Sequence, residues 1–146
     1  MKNISWCKKQ KKGIELVEPN DNLCVAYFKD ADESLLIMTN ISGKWKIVTG
    51  YYACYNAFYA LLMKVGIKCE IHDCTLYLMP YFNFNEQQVS FLEKLKKLRI
   101  DVQYYLEPAV EIDVNKIKEF ITSCKSFNNK LDEDEIDKIR GLVKND

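Results

Sequence analysis

The stretch that decides the fold is Tyr51–Leu62, which reads YYACYNAFYALL. Apolar residues are nearly continuous here and extend from Ile47 to Val65, so we predict one long helix that is buried on most sides. The helix should begin near residue 44 and end before Gly66, because glycine suits the left-handed turn that stops a helix. The apolar run contains polar Asn56 and is shorter than the about 20 residues of a membrane span, which predicts a core helix and no membrane role.

The flanking segments also show helical periodicity. Apolar residues at three- and four-residue spacing predict a first long helix over residues 22–39, capped by Asn20 or Asp21. A shorter helix is predicted within residues 67–79, and Pro80 should stop it.

Two further helices are predicted downstream. Asn83 or Asn85 should cap the fourth helix, which ends near Pro108, and a fifth helix covers residues 113–128. The inner face of the fourth helix is traced by Val89, Leu92, Leu95, Leu98, Val102 and Tyr105.

Long amphipathic helices with short connections bury their apolar faces best against one another. We therefore predict an all-α fold, an up-and-down bundle of four to five helices. Residues 1–20 should form a basic N-terminal arm, residues 21–130 the bundle and residues 131–146 an amphipathic C-terminal tail. The second long helix carries more apolar surface than one small bundle needs, so we expect a second copy of the chain to cover part of it as a homodimer.

The charges of the chain balance, with 21 Lys and Arg against 21 Asp and Glu in 146 residues. A protein that wraps nucleic acid by charge alone is usually basic, so any RNA contact should be local and confined to a cleft. The basic run of the arm, residues 8–12, is either a solvated face or a contact for RNA or a partner.

The six cysteines include no CxxC pair, and the first residues are polar and basic without a following apolar run. We therefore expect a reduced, cytoplasmic setting with no signal peptide, in which the cysteines serve as small buried hydrophobes. Cys69, His72 and Cys74 are the best metal candidates, but they lack a fourth ligand and the paired spacing of zinc sites. No metal and no cofactor is expected.

Several motifs in order resemble those of the HEPN family. Tyr51–Leu62, then Gly66-Ile67, then His72 are similar to the family's aromatic and alanine-rich helix, its glycine turn and its histidine-containing stretch. Leu98–Tyr105, which reads LRIDVQYY, resembles a later family helix, and a final helix follows at Val114–Phe127. The resemblance covers residues 22–130.

This resemblance implies a dimeric bundle of four to five helices. Many HEPN proteins are metal-independent endoribonucleases, often the toxin of a toxin–antitoxin pair, with an Arg-x4–6-His motif in a cleft at the dimer interface. Others lack the motif and serve as binding or scaffold modules. Small members are often encoded with a minimal nucleotidyltransferase that acts as antitoxin. The implied partners are therefore a second copy, a nucleotidyltransferase, and RNA or a nucleotide.

Carried over residue by residue, Arg99 matches the arginine of the motif. The residues four, five and six positions later are Gln103, Tyr104 and Tyr105, and none is histidine. The single histidine of the chain, His72, lies upstream on another element. The family motif is therefore not intact, although arginine suits phosphate binding and histidine suits proton transfer near neutral pH.

Each charged candidate has two interpretations. Arg99 either binds phosphate or forms an ion pair, for example with Asp101. Asp101 either contacts a ligand or is a solvated or paired carboxylate. His72 either approaches Arg99 and replaces the missing base, or caps a helix or bonds to Asp73.

The polar and aromatic candidates are similarly open. Tyr104 or Tyr105 could donate a hydrogen bond to phosphate, stack on a base or receive a nucleotide from the partner enzyme; the alternative is that one packs in the core and the other is partly exposed. Asn56 either contacts a ligand or is a buried hydrogen-bonding group that fixes helix packing.

Two functions follow as hypotheses. The first is a dimeric HEPN-like module that binds RNA or a nucleotide, or docks a nucleotidyltransferase, without cutting. The second is an active metal-independent endoribonuclease toxin that uses Arg99 with His72 or Tyr104.

Overall fold

Helices dominate the computed structural model, which describes residues 2–146. The chain is an all-α helical bundle, as the sequence predicts, with one two-stranded ribbon near its first helix. In chain order the elements are α1 Ile4–Lys9, β1 Glu15–Leu16, α2 Asp21–Thr39, α3 Lys44–Val65, β2 Ile67–Lys68, α4 His72–Tyr77, a 3-10 turn Met79–Phe82, α5 Glu86–Tyr104, α6 Val114–Lys130 and α7 Glu133–Asn145.

Side-chain caps set where the long helices begin. The Asn20 carboxamide accepts from the amide of Leu23 at the start of α2. Asn85 and Gln88 exchange hydrogen bonds in a capping box at the start of α5. Gly66 follows α3 with a left-handed φ of 85°, which confirms its role as the helix stop.

α3 is the central helix, and α2, α5, α6 and α7 pack around it. Tyr51, Phe58 and Leu62 are fully buried along its length. At Gly50 an added Cβ would lie 2.9 Å from Met38 Sδ. The small residue therefore allows α2 to approach α3 closely.

α7 fastens the last residues to the bundle. Ile139 and Val143 on its inner face are buried, so residues 133–145 add a full helix where the sequence suggested a turn or two. From the other end of the chain, Lys8 Nζ donates to the carbonyl oxygens of Val143 and Lys144. The positive side chain thus satisfies the last carbonyls of α7.

α5 ends earlier than expected. The helix stops at Tyr104, and Leu106 has a left-handed φ of 54°. The placement of Tyr105 on the inner face is therefore wrong, because its side chain is 72% exposed. Arg99 instead shares the buried stripe of α5 with Leu92, Leu95 and Val102.

The expectation that all six cysteines are unpaired is also wrong. Cys7 of α1 and Cys74 of α4 form a disulfide. Cys24, Cys54, Cys69 and Cys124 are free and buried, which confirms the prediction that cysteines fill the core as small hydrophobes. The pairing was missed because it depends on a contact between elements that are far apart in the sequence.

None of the helices within residues 2–146 combines the length and the apolar character that crossing a lipid bilayer would require.

Arg140 of α7 donates hydrogen bonds at the C-terminal end of α3. Its Nη1 lies within 3.0 Å of the carbonyl oxygens of Val17, Val65 and Gly66. Substituting Arg140 by Leu removes a donor from all three partly buried carbonyl oxygens, of which the Gly66 oxygen keeps a second donor, the Val17 amide. We therefore expect the free energy of unfolding to fall by about 2–4 kcal/mol. Urea denaturation measures the change, and Lys138→Leu on the exposed face of α7 is the matched control. Equal effects of the two variants would contradict this role.

Candidate functional site

The site centres on a buried arginine. The side chain of Arg99 is 7% exposed, and its Cζ lies 4.8 Å from the ring centre of Tyr51, 5.5 Å from that of Tyr52 and 5.9 Å from that of Tyr104. We call these three tyrosines the arginine cage. Rings around a guanidinium reduce the cost of burying its charge, since the ring faces attract cations.

The cage supplies little hydrogen bonding. Arg99 Nη1 donates to the hydroxyl of Tyr52 at 3.3 Å, and no carboxylate of residues 2–146 forms a salt bridge with it. A buried charge is costly unless it is paired. The guanidinium can therefore pair with an anion that the described chain does not provide.

His72 contacts the same tyrosines as Arg99. The ring of His72 stacks on Tyr55 with centroids 4.2 Å apart, and its Nδ1 lies 2.7 Å from the hydroxyl of Tyr51. It also meets Tyr52 edge-on at 6.2 Å. The structure thus brings Arg99 and His72 to one place, although they lie on different helices.

The surroundings keep His72 neutral. Burial and the positive charges of Arg99 and Lys96 together lower the pKa of His72 to about 4, while Asp73 opposes them. Burial raises the pKa of the Tyr51 hydroxyl, so Tyr51 keeps its proton. The pair is therefore a neutral, hydrogen-bonded unit at physiological pH.

A second cation lies beside Arg99 on α5. Lys96, one turn earlier, forms an ion pair with Asp73 of α4, and Asp73 is also 3.8 Å from Lys2. The hydrogen bond from Lys96 lowers the pKa of Asp73. These contacts fix α4, and hence His72, against α5.

Two buried polar atoms of the site have no hydrogen-bond partner in the described part of the chain: Arg99 Nε and Gln103 Oε1. The two residues are four apart on α5 and therefore lie on the same face of the helix. Buried polar atoms are rarely left unpaired in proteins, so an orphaned donor beside an orphaned acceptor indicates a place for a ligand.

The remaining candidates lie in different surroundings. Tyr104 belongs to the cage and is 65% exposed, whereas Tyr105 is exposed beyond the helix end. Asp101 pairs with Lys97 at 2.8 Å and not with Arg99. Asn56 Nδ2 donates to Asp30 Oδ2 at 3.1 Å and so joins α3 to α2. Arg99, His72 and Tyr104 are thus brought together, and Asp101 and Asn56 have structural partners.

The sequence did not lead us to several of the side chains that surround Arg99 and His72. It indicated Tyr51, Tyr52 and Tyr55 only as core residues, and it indicated Gln103 only as a position without histidine. The spacing of the tyrosines could have indicated a shared wall, since Tyr55 follows Tyr51 by four residues and Tyr52 by three, and positions three and four apart share one face of a helix. Lys96 and Gln103 could have been found as positions three before and four after Arg99 on the same face of α5.

A rim of exposed apolar side chains lies at this end of the molecule. It consists of Trp45, Tyr104, Tyr105, Leu106 and Val110, each more than half exposed, and we call it the apolar rim. Trp45 lies one turn before Val48, which packs with Val102 of α5. The rim therefore borders the helices that carry the cage.

A surface groove lies elsewhere. It measures about 670 Å³ and runs between the first half of α5 and α6, with Phe91, Lys94, Lys116 and Phe120 in its lining. The two orphaned polar atoms found in residues 2–146 are not part of it. No residue of the arginine cage lines this groove, so the groove is separate from the site around Arg99.

The described residues hold no group of three or more His, Cys, Asp or Glu side chains that could bind a metal ion. Cys74 is committed to the disulfide. The side chains around Arg99 can instead bind an anion and stack on a planar group.

Comparison with family models, with curated proteins and with solved structures finds no match to this chain.

We predict that stability depends on pH through His72. The unfolded chain protonates this histidine below about pH 6.5 but the folded protein only near pH 4, so acidification through this window favours unfolding. The shift corresponds to about 3 kcal/mol, which partial exposure reduces to on the order of 2 kcal/mol.

Urea denaturation between pH 4.5 and 7 measures this dependence. His72→Gln should flatten the curve in that range, because glutamine does not titrate. The lowered pKa of Asp73 acts below its ordinary value of 3.8 and therefore outside the range. An equally steep curve for His72→Gln would show that another group is responsible.

Proposed function

We propose that this chain is a HEPN-like dimeric module that binds RNA or a nucleotide, with Arg99 as the phosphate-binding group. The single observation that carries the proposal is a buried arginine with no carboxylate partner in residues 2–146, held among tyrosines. The order of the family motifs along residues 22–130 supports the same assignment.

Phosphate is the anion that suits the cage best. A guanidinium offers a planar fork of donors that matches phosphate oxygens. Lys96, one turn away on α5, is a second positive charge near the site, where it forms an ion pair with Asp73. A phosphate at this position would satisfy Arg99 and avoid the cost of an unpaired buried charge.

The aromatic side chains next to Arg99 suit an unpaired base. Tyr104 is 65% exposed and Tyr105 is 72% exposed at the end of α5. Bases of single-stranded nucleic acid stack on such rings. Because the overall charge is balanced, binding should depend on this local combination of cation and aromatic ring, not on a general attraction to nucleic acid.

The apolar rim supports a homodimer. Within it, Tyr104, Tyr105 and Leu106 are consecutive in the chain and exposed. Exposed apolar patches commonly mark an interface, and a second copy related by a two-fold axis is the commonest cover for one. Such a contact would place the two cages near one shared cleft, which is where the family resemblance puts the ligand.

The resemblance also supplies the setting of the proposal. It is a cytoplasmic toxin–antitoxin or nucleotidyltransferase-associated system, in which a nucleotidyltransferase is the protein partner. Tyr104 and Tyr105 are exposed and would be accessible to that partner as sites of nucleotide transfer.

One observation favours the second candidate, an endoribonuclease that uses Arg99 with His72 or Tyr104. His72 and Arg99 contact the same tyrosines. However, RNA cleavage needs an acid to protonate the leaving oxygen, and a histidine with a pKa of about 4 is neutral and a weak base. Its Nδ1 is also engaged by Tyr51. These properties favour binding without cutting.

We predict that Arg99→Met weakens the binding of a labelled seven-nucleotide single-stranded RNA by at least about tenfold at fixed salt. Methionine keeps much of the buried volume but removes the charge. Lys97→Met is the matched control, since it removes one positive charge two residues away on the exposed face of α5, and it should change the affinity by less than about twofold.

The same samples separate the two candidate functions. Gel analysis of the RNA should show no shortened product with the unmodified protein. If products appear, and both Arg99→Met and His72→Gln abolish them, the protein is an endoribonuclease. Equal affinities for Arg99→Met and Lys97→Met would remove Arg99 from the site.

We also predict that the protein is a dimer in solution and that Leu106→Asp makes it monomeric. Leu106 is 74% exposed in the apolar rim and has a left-handed φ of 54°, which aspartate tolerates. The substitution should therefore leave the melting temperature of the fold nearly unchanged. Light scattering measures the mass, and Leu142→Asp, on exposed α7, is the control that should remain dimeric. A monomeric unmodified protein at all working concentrations would contradict the dimer.

A further inference from the structure

Arg99 and Gln103 each have one buried polar atom without a hydrogen-bond partner. Arg99 Nε carries a hydrogen that has no acceptor, and Gln103 Oε1 has no donor, although both atoms are buried within residues 2–146. The Arg99 side chain is more than nine-tenths buried. Leaving such atoms unpaired costs about 1–3 kcal/mol each. A ligand that pairs with both atoms would recover this free energy.

Arg99 and Gln103 lie one turn apart on α5, so one ligand is able to contact both side chains. Side chains four residues apart on a helix have Cβ atoms about 5–6 Å apart on the same face. A group that enters between Arg99 and Gln103 therefore meets a donor on one side and an acceptor on the other.

A phosphodiester cannot satisfy this pair, because its oxygens only accept hydrogen bonds. A hydroxyl group can, since it accepts through its lone pairs and donates through its hydrogen. In a nucleic acid strand the ribose 2′-hydroxyl is such a group, and it is the feature that distinguishes RNA from DNA. It lies one sugar away from the phosphate that the proposed function assigns to the other nitrogens of Arg99.

We propose that Gln103 is a specificity-determining residue for ribose: Gln103 Oε1 accepts a hydrogen bond from a 2′-hydroxyl that itself accepts from Arg99 Nε. This inference rests on the proposed function and names RNA, as against DNA, as its substrate class. Tyr104 covers the guanidinium at the last residue of α5 and is mostly exposed, so its ring swings outward to admit the sugar.

The experiment compares three seven-nucleotide single strands of one sequence: RNA, DNA, and RNA with 2′-O-methyl groups. The methyl ether accepts a hydrogen bond but cannot donate one, so it isolates the contact to Gln103. The unmodified protein should bind RNA about tenfold more tightly than either of the other strands. Gln103→Leu should bind RNA no more tightly than 2′-O-methyl RNA, because the variant has no acceptor for the 2′-hydroxyl hydrogen, while Arg99 Nε still contacts the 2′ oxygen of both strands.

Folding of the variant provides the control. Because Gln103 Oε1 has no partner in the described structure, Gln103→Leu should melt at the same temperature as the unmodified protein or slightly higher. A large loss of stability would show that Gln103 has a structural partner and would overturn the inference.

The remaining outcomes separate this inference from the proposed function. Equal binding of RNA and DNA by the unmodified protein overturns the inference alone, as does a preference for RNA over 2′-O-methyl RNA that survives in Gln103→Leu. If the affinity depends on base sequence but not on 2′-O-methylation, the protein contacts a base edge and not the 2′-hydroxyl. This result also overturns the inference. Failure to bind any of the strands overturns the proposed function as well.

Discussion

One positive charge buried without a carboxylate partner is the constraint on which the organisation of the site depends. Arg99 lies on the inner stripe of α5, a position that an apolar residue would ordinarily occupy. Only the ring faces of the arginine cage and one long hydrogen bond compensate for the loss of water. The same charge helps to keep His72 neutral. Aromatic packing, the state of the histidine and the proposed affinity for anions are therefore linked through a single guanidinium.

The chain has a second arginine whose environment differs in every respect. Arg140 donates to three main-chain carbonyl oxygens at the junction of α3 and the ribbon. There the Nη1 donor is satisfied and the residue serves the fold. At Arg99 a donor is left over, together with the acceptor on Gln103. The contrast between the satisfied and unsatisfied guanidinium distinguishes a structural arginine from a binding one.

Much of the fold could be predicted from local signals, because those signals are strong around α3. The bounds predicted for that helix, residues 44–65, are those of the structure, since an unbroken apolar run ends at a glycine. The end of α5 was missed because Tyr105 fits the apolar period and no glycine or proline marks the left-handed Leu106. Within the site, the motif pointed to Arg99, and the scarcity of histidine pointed to His72. The cage and the orphaned Gln103 oxygen could not be predicted, because burial and unmet hydrogen bonds exist only once α3, α4 and α5 are packed together.

The disulfide between Cys7 and Cys74 makes residues 7–74 a covalent ring, whereas the rest of the chain is linear. It closes a covalent ring across a sequence separation of 67 residues, and α2, α3 and His72 lie inside that ring. A ring of this size restricts the unfolded chain by on the order of 4 kcal/mol. Arg99 and Gln103 lie outside it, on a linear segment that folds against the cyclic part. Reduction of this disulfide would therefore open the covalent ring that contains His72. It would leave the connectivity of the linear segment that contains Arg99 unchanged.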